Sequence, residues 1–149
     1  VVGELQQLHP QITDQDVHWL CIRAMQLNAE MIVGLLPEAE YVADTAGFAN
    51  RPRAVGLFVV DPWSFMQADA RGASPLAATW EVSSDSIAAR LAVVVAAEEL
   101  VLLKSALPAD VRNLGDFVDA AFDQTSRDVN VIRFVNLRDT GFAEACARK

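Results

Sequence analysis

Ser83, Ser84, Asp85 and Ser86 set three hydroxyls and one carboxylate side by side, directly before a strongly apolar segment. At a helix start such a cluster meets backbone N–H groups that lack intrahelical partners, and the combination suits a phosphate or another polar ligand. It equally suits plain capping, with Ser83 or Ser84 as the N-cap and Asp85 as a first-turn acid that complements the helix dipole. Lys104 is the second residue of interest. It follows the wholly apolar run Leu100-Val101-Leu102-Leu103, and the chain has no other lysine except Lys149. A cation at that point can neutralise phosphate, or it is a surface lysine whose stem lies along the strand end while its ammonium reaches water. Phosphoryl transfer asks the protein mainly to position groups and stabilise charge, so a lysine and a carboxylate that organises it would suffice as a pair.

Other residue pairs carry less. His18 and Cys21 stand three apart on one helical face, but a structural zinc site needs four ligands and only His9 and Cys146 remain, so ordinary packing is the better account. Neither cysteine sits in a Gly-rich or electropositive turn, which argues against a cysteine nucleophile. Phe48, Trp63, Phe65 and Trp80 flank loops, where they either line a pocket for a ring-shaped substrate or belong to the core. Neither G-x-G-x-x-G nor G-x-x-x-x-G-K-[ST] occurs, so a nucleotide site would need another loop chemistry.

The elements that must hold these residues can be read from periodicity. Thr13 to Leu36 reads as one helix with a narrow polar stripe, Asp16, Arg23, Gln26 and Glu30, and apolar residues over most of its circumference. Such a helix is expected to be covered on more than one side, which predicts self-association. Glu40 to Ala43 is a short run before a loop from Asp44 to Arg53, and Ala54 to Val60 reads as a strand covered on both faces that ends at Asp61. Pro62 to Thr79 reads as an irregular, functional loop. Asp85 to Ala97 is then a helix, Leu100 to Leu103 a buried strand, Asn113 to Phe122 an amphipathic helix, and Val131 to Val135 a strand leaving at Asn136. A short C-terminal helix is predicted around Phe142 and Cys146. This order predicts an α/β domain with parallel strands and helices on both faces. In such sheets ligands bind beyond the carboxyl ends of the strands. Those ends carry Asp61, Lys104-Ser105 and Asn136, and the helix that starts at Ser83 aims its amides at the same edge.

With 149 residues, 52% hydrophobic and 21% charged, the chain has the makings of one globular domain and excludes a disordered or low-complexity protein. Lys+Arg 12 against Asp+Glu 20 gives a net charge of −8, which repels a phosphate backbone, so neither nucleic acid nor an anionic membrane is an expected partner. The longest apolar window, Leu91 to Leu103, is interrupted by Glu98 and Glu99 and is too short to span a bilayer. Two cysteines are too few for a disulfide scaffold, and a reducing cytoplasm is the simplest setting. The start, Val1-Val2-Gly3-Glu4, has neither an initiator Met nor a signal-peptide pattern, which predicts a trimmed or partial chain.

Several stretches together resemble the amino acid kinase superfamily, the aspartate-, glutamate- and uridylate-kinase-like enzymes, and within it the group linked to methanofuran and tetrahydromethanopterin one-carbon metabolism. They are Trp80 to Ala89, Leu100 to Ser105, Val135 to Arg138, Gln7-Leu8-His9, His18-Trp19 and Gly115 to Phe122 with its Val118-Asp119-Ala120-Ala121-Phe122, so nearly the whole chain is covered. The resemblance implies a three-layer αβα sandwich with a mostly parallel central sheet. It also implies transfer of a phosphoryl group from ATP, with Mg2+, to a small-molecule acceptor, of which an aminomethyl-furan-methanol phosphate of methanofuran biosynthesis is the most specific candidate. By resemblance Asp85 organises catalytic lysines, and Lys104, with Ser105 and Asn136, meets the nucleotide. Ser83, Ser84 and Trp80 would lie toward the acceptor, and the enzyme would be a cytoplasmic homo-oligomer. Family members begin with a strand and a Lys-x-Gly-Gly-Ser loop followed by a second Gly-rich loop, and neither loop occurs here, so a strand-helix-strand unit is expected to be missing before Val1. Glu81, Ser83 and Ala120 stand where the group commonly has Asp, Thr and Pro. The alternative is a non-catalytic subunit or ligand-binding α/β module that lost those loops.

Overall fold

Thr13 starts the first helix as its sequence predicts. In the computed structural model, which describes residues 9, 11–50 and 55–148, α1 runs over Asp14–Leu35. The Thr13 hydroxyl accepts the Asp16 N–H at 3.2 Å, and the Asp16 carboxylate accepts the Thr13 N–H at 2.9 Å, a reciprocal capping box. Leu36, which precedes Pro37, leaves helical geometry at φ −119° and ψ 90°. Val17, His18, Ile22 and Ala29 are buried, whereas Leu20, Leu27, Met31 and Leu35 are each more than half exposed. The helix is thus covered on one side only among the described residues, not on several.

The chain divides at the Trp80–Glu81 boundary into two compact units. In the first, β1 (Ala39–Val42) pairs in parallel with β2 (Leu57–Val60), in register from Ala39↔Leu57 to Val42↔Val60. The predicted second strand therefore begins later than Ala54, which lies outside the described residues. The loop predicted from Asp44 contains a one-turn helix, α2 (Thr45–Ala49), because Asp44 accepts the Gly47 N–H at 2.9 Å and caps it. A larger correction follows β2. Pro62 to Thr79 is not irregular throughout, since α3 occupies Pro62–Asp69. Asp61 caps it through the Trp63 N–H at 3.0 Å, and Pro62 stands at its start, where a missing N–H costs nothing and a fixed φ helps.

The second unit opens with α4 (Ser84–Val94) and continues into β3 (Leu100–Lys104). β3 pairs in parallel with β4 (Val131–Asn136), from Leu100↔Ile132 to Lys104↔Asn136. Leu100 and Leu102 are buried while Val101 and Leu103 are exposed, so β3 is covered on one face and not on both. Ala89 and Ala92 of α4 share a core with Leu100, Leu102, Ile132 and Phe134 of the strands. The amphipathic helix predicted for Asn113 to Phe122 is absent. A 3-10 turn spans Gly115–Phe117 instead, Gly115 has φ +46°, Val118 is extended, and the short helix α5 (Phe122–Thr125) follows. The extended backbone of Val118, at φ −123° and ψ 170°, separates the two turns.

The predicted C-terminal helix is also a strand. β5 (Glu144–Arg148) runs antiparallel to β4, from Val131↔Arg148 to Val135↔Glu144. Asn136 Oδ1 accepts the Arg138 N–H at 3.0 Å and Asp139 Oδ1 the Gly141 N–H at 2.7 Å, turning the chain so that the Asn136 N–H meets the Ala143 carbonyl at 2.9 Å. Cys146 lies exposed on this strand. The domain is therefore mixed α/β, with one parallel strand pair and one three-stranded sheet of mixed direction. Among the described residues no helix is long and apolar enough to cross a membrane.

Candidate functional site

Two strands of the second unit end together. Lys104 and Asn136 are register partners at the carboxyl ends of β3 and β4, and the Leu137 N–H donates to the Lys104 carbonyl at 2.8 Å. From this edge the Lys104 ammonium donates to Asp85 Oδ2 at 2.6 Å and to the Phe117 carbonyl at 3.2 Å, and lies 5.4 Å from the centre of the Phe117 ring. The side chains of Lys104 and Asp85 are 21% and 13% exposed, so the pair is shielded from water yet reachable. An ammonium has three N–H donors, and these contacts engage two of them.

Asp85 is the second residue of α4, and the start of that helix is not built as the sequence suggests. Ser83 is extended, and its side chain makes no capping hydrogen bond. The cap comes from Asp119, on the segment between the 3-10 turn and α5. Its Oδ2 accepts the Ser83 N–H at 3.0 Å, the Ser83 hydroxyl at 2.8 Å and the Ser86 N–H at 2.9 Å, while Oδ1 accepts the hydroxyl of the fully buried Ser86. Burial pushes the Asp119 carboxyl up, but hydrogen bonds from Ser86 and Ser83 to the ionised form outweigh it and hold the group below the usual carboxylate range. Two of the hydroxyls and two of the amides read from sequence as open to a phosphate are thus held by a carboxylate of the chain itself. The Ala121 N–H donates to the Glu81 carbonyl at 3.0 Å, closing the segment onto the strand of chain that leads into α4.

The structure brings Asp85, Lys104 and Asn136 to one region of the second unit, with Ser83 and Ser84 on the same helical turn as Asp85. Ser84 and Ser105 are exposed, and Asn136 Oδ1 is committed to its exit turn. Trp80 is half exposed and closes the first unit. Reasoning from sequence does not single out Asp119 beyond its place in a matching stretch, because its partners lie 33 and 36 positions away and no local pattern announces such a cap.

The remaining candidates are packed. His18 is buried, with Nδ1 at 3.2 Å from the Thr79 carbonyl, and burial lowers its pKa against the opposing pull of that carbonyl. Trp63 meets Trp19 edge-on at 5.3 Å and carries the Arg23 guanidinium over its ring at 3.4 Å, Phe48 packs on Phe58 at 4.8 Å, and Phe65 is buried. A cavity of about 300 Å3 borders Phe122, Ile132 and Cys146, toward the amino end of β4 and away from Lys104. Among the described residues no three His, Cys, Asp or Glu side chains are grouped to hold a metal ion. Comparison with protein-family models, with curated proteins and with solved structures finds no match.

Proposed function

We propose that this chain is a phosphotransferase of the amino acid kinase kind, moving the γ-phosphoryl group of Mg-ATP onto a small-molecule acceptor. The observation that supports this reading is the shielded Lys104–Asp85 pair at the carboxyl edge of the parallel β3–β4 ladder, between the two residues that the resemblance couples. The third N–H of the ammonium would donate to a phosphate oxygen, while Asp85 and the Phe117 carbonyl fix the direction of that donor. Transfer is in line, with no covalent intermediate. Ser105 and Asn136 face the nucleotide in this reading, and Ser83, Ser84 and Trp80 face the acceptor. Mg2+ typically uses one or two carboxylates together with substrate phosphates, and with Asp85 engaged by Lys104 it arrives as part of the ATP substrate. An aminomethyl-furan-methanol phosphate is the most specific acceptor we put forward, in a three-layer αβα fold with a mostly parallel sheet. The exposed side of α1, with Leu20, Leu27, Met31 and Leu35, supports a homo-oligomer, which we place in the cytoplasm as part of the same proposal.

One observation favours a second reading, a ligand-binding module without catalysis. Asp119 already fills the amide and hydroxyl cluster at the start of α4, where an incoming anion would otherwise compete. Calorimetric titration with Mg-ATP separates the two. Saturable binding that weakens about 10- to 100-fold in Lys104→Ala, the range for losing one charge-assisted hydrogen bond, upholds the kinase reading. A folded protein that takes up no Mg-ATP moves the second reading ahead.

A further inference from the structure

We propose that Asp119 is a positioning residue for the Asp85–Lys104 pair, holding it through the first turn of α4. As a statement about a catalytic pair this rests on the phosphotransferase reading, but the physical coupling does not. Asp85 reaches Lys104 from the second residue of α4, so the direction of its carboxylate follows the geometry of that turn. The turn has no cap of its own. Ser83, whose hydroxyl would ordinarily cap by accepting an N–H, is instead a donor, and Asp119 takes hydrogen bonds from residues on both sides of Asp85, Ser83 and Ser86.

The same short segment holds the other partner. Phe117, two residues before Asp119, gives its carbonyl to the Lys104 ammonium at 3.2 Å and sets its ring beneath it. One stretch of three residues therefore grips the ammonium by a carbonyl and the acid by way of the turn that bears it. An ionised Asp119 suits this role, because a carboxylate accepts on both oxygens and hydrogen bonds to a charged group are the stronger ones. Residues 117–119 thus contact Lys104 directly and Asp85 by way of its two neighbours in the turn, Ser83 and Ser86.

Having only two lysines makes the coupling directly visible. In protein labelled with 13C and 15N at lysine, the side-chain NMR signal of Lys104 is assigned by removing the other with Lys149→Arg. Its position in Asp85→Asn then defines the unpaired state. Asp119→Ala is expected to carry the Lys104 signal most of the way to that position. Asp119→Asn, which keeps one oxygen where three of the four hydrogen bonds converge, is expected to restore most of the native shift. Ile132→Val, which trims the core that this segment shares but removes none of the hydrogen bonds to Asp119 or Lys104, is expected to leave the signal in place. Should Asp119→Ala fail to fold, Ser86→Ala and Ser83→Ala, each removing one hydroxyl donor, are expected to give smaller shifts in the same direction. An unmoved Lys104 signal in these variants, or an equal shift in Ile132→Val, overturns the proposal. A native protein that binds no Mg-ATP while its Lys104 signal still follows Asp119 defeats the kinase reading and leaves the positioning role standing.

Discussion

Like the one-turn α2 on Asp44, α3 and α4 each begin on a carboxylate, and these two obtain it in opposite ways. α3 takes its cap from Asp61, the residue before it, whose two oxygens accept the Trp63 N–H at 3.0 Å and the Ser64 hydroxyl at 2.5 Å. α4 takes its cap from Asp119, 33 residues beyond Ser86. The chemistry is shared, since each acid satisfies donors that the helix cannot satisfy itself. The difference lies in what each cap commits. Asp61 starts α3 from local sequence and then ties it outward, taking Gln26 Nε2 of α1 at 3.2 Å, so that tertiary contact extends a helix already begun. Asp119 supplies the cap only once a distant segment has docked, and the orientation of Asp85 depends on that docking.

The largest test of this contrast is Asp61→Ala. Asp61 is 2% exposed and its carboxylate accepts three hydrogen bonds, so removing it strips a cap and leaves the half-buried donors of Ser64 and Gln26 without that acceptor. About 3 kcal/mol of destabilisation is expected, combining a lost cap with unsatisfied partners, read by denaturant unfolding through the paired Trp19 and Trp63. A loss well below about 1 kcal/mol would mean that the local acid matters no more than an ordinary exposed cap.

Acid sharpens the same contrast. The folded pKa of Asp119 lies below its unfolded value, so its contribution is complete above the usual carboxylate range and is lost as pH falls beneath that range. The folded pKa of His18 is also lowered, because burial disfavours the imidazolium, so its contribution is complete above about 6.5 and drains away as pH falls toward the depressed folded value. Between neutrality and pH 5, amide protection relative to the intrinsic exchange rate is therefore expected to fall around α1 in the first unit while that of α4 is kept. His18→Gln is expected to flatten the response of the first unit. Earlier exchange in α4 would reverse the assignment.

The smallest expected effect is at a second local cap, that of α1. Thr13→Ala removes the hydroxyl of the capping box of α1 and is expected to cost about 1 kcal/mol. A cost matching that of Asp61→Ala would erase the distinction between an exposed local cap and a buried one.

What the sequence reveals about this fold follows the same divide. The start of α1 at Thr13, the apolar cores of β3 and β4 and the strand end at Lys104 rest on neighbours within a few residues, and each is where periodicity and capping chemistry predict it. α3 was legible in principle, because Asp61-Pro62 is a cap followed by a helix-starting proline, yet the same dipeptide also reads as the beginning of a loop. β5 was harder. Glu144-Ala145-Cys146-Ala147-Arg148 alternates with period two, but its alanines favour a helix locally, and only pairing with β4 decides for a strand. The pairing of Asp85 with Lys104 came from resemblance, with no local spacing to fix it. Asp119 had no local signal at all, since nothing near it marks the serines it would hold.

The remote cap has a consequence for the order of assembly. α1 and α3 can begin as soon as residues three apart meet, on the fast timescale of local structure. The start of α4 must wait for a loop of more than thirty residues to close, an event whose cost in chain entropy precedes its reward. The charged pair of the candidate site is therefore among the last features to form. A chain that has made its early helices but has not yet closed this loop leaves the start of α4 without its cap and Lys104 without the Phe117 carbonyl, so the full arrangement arrives with completion of the second unit.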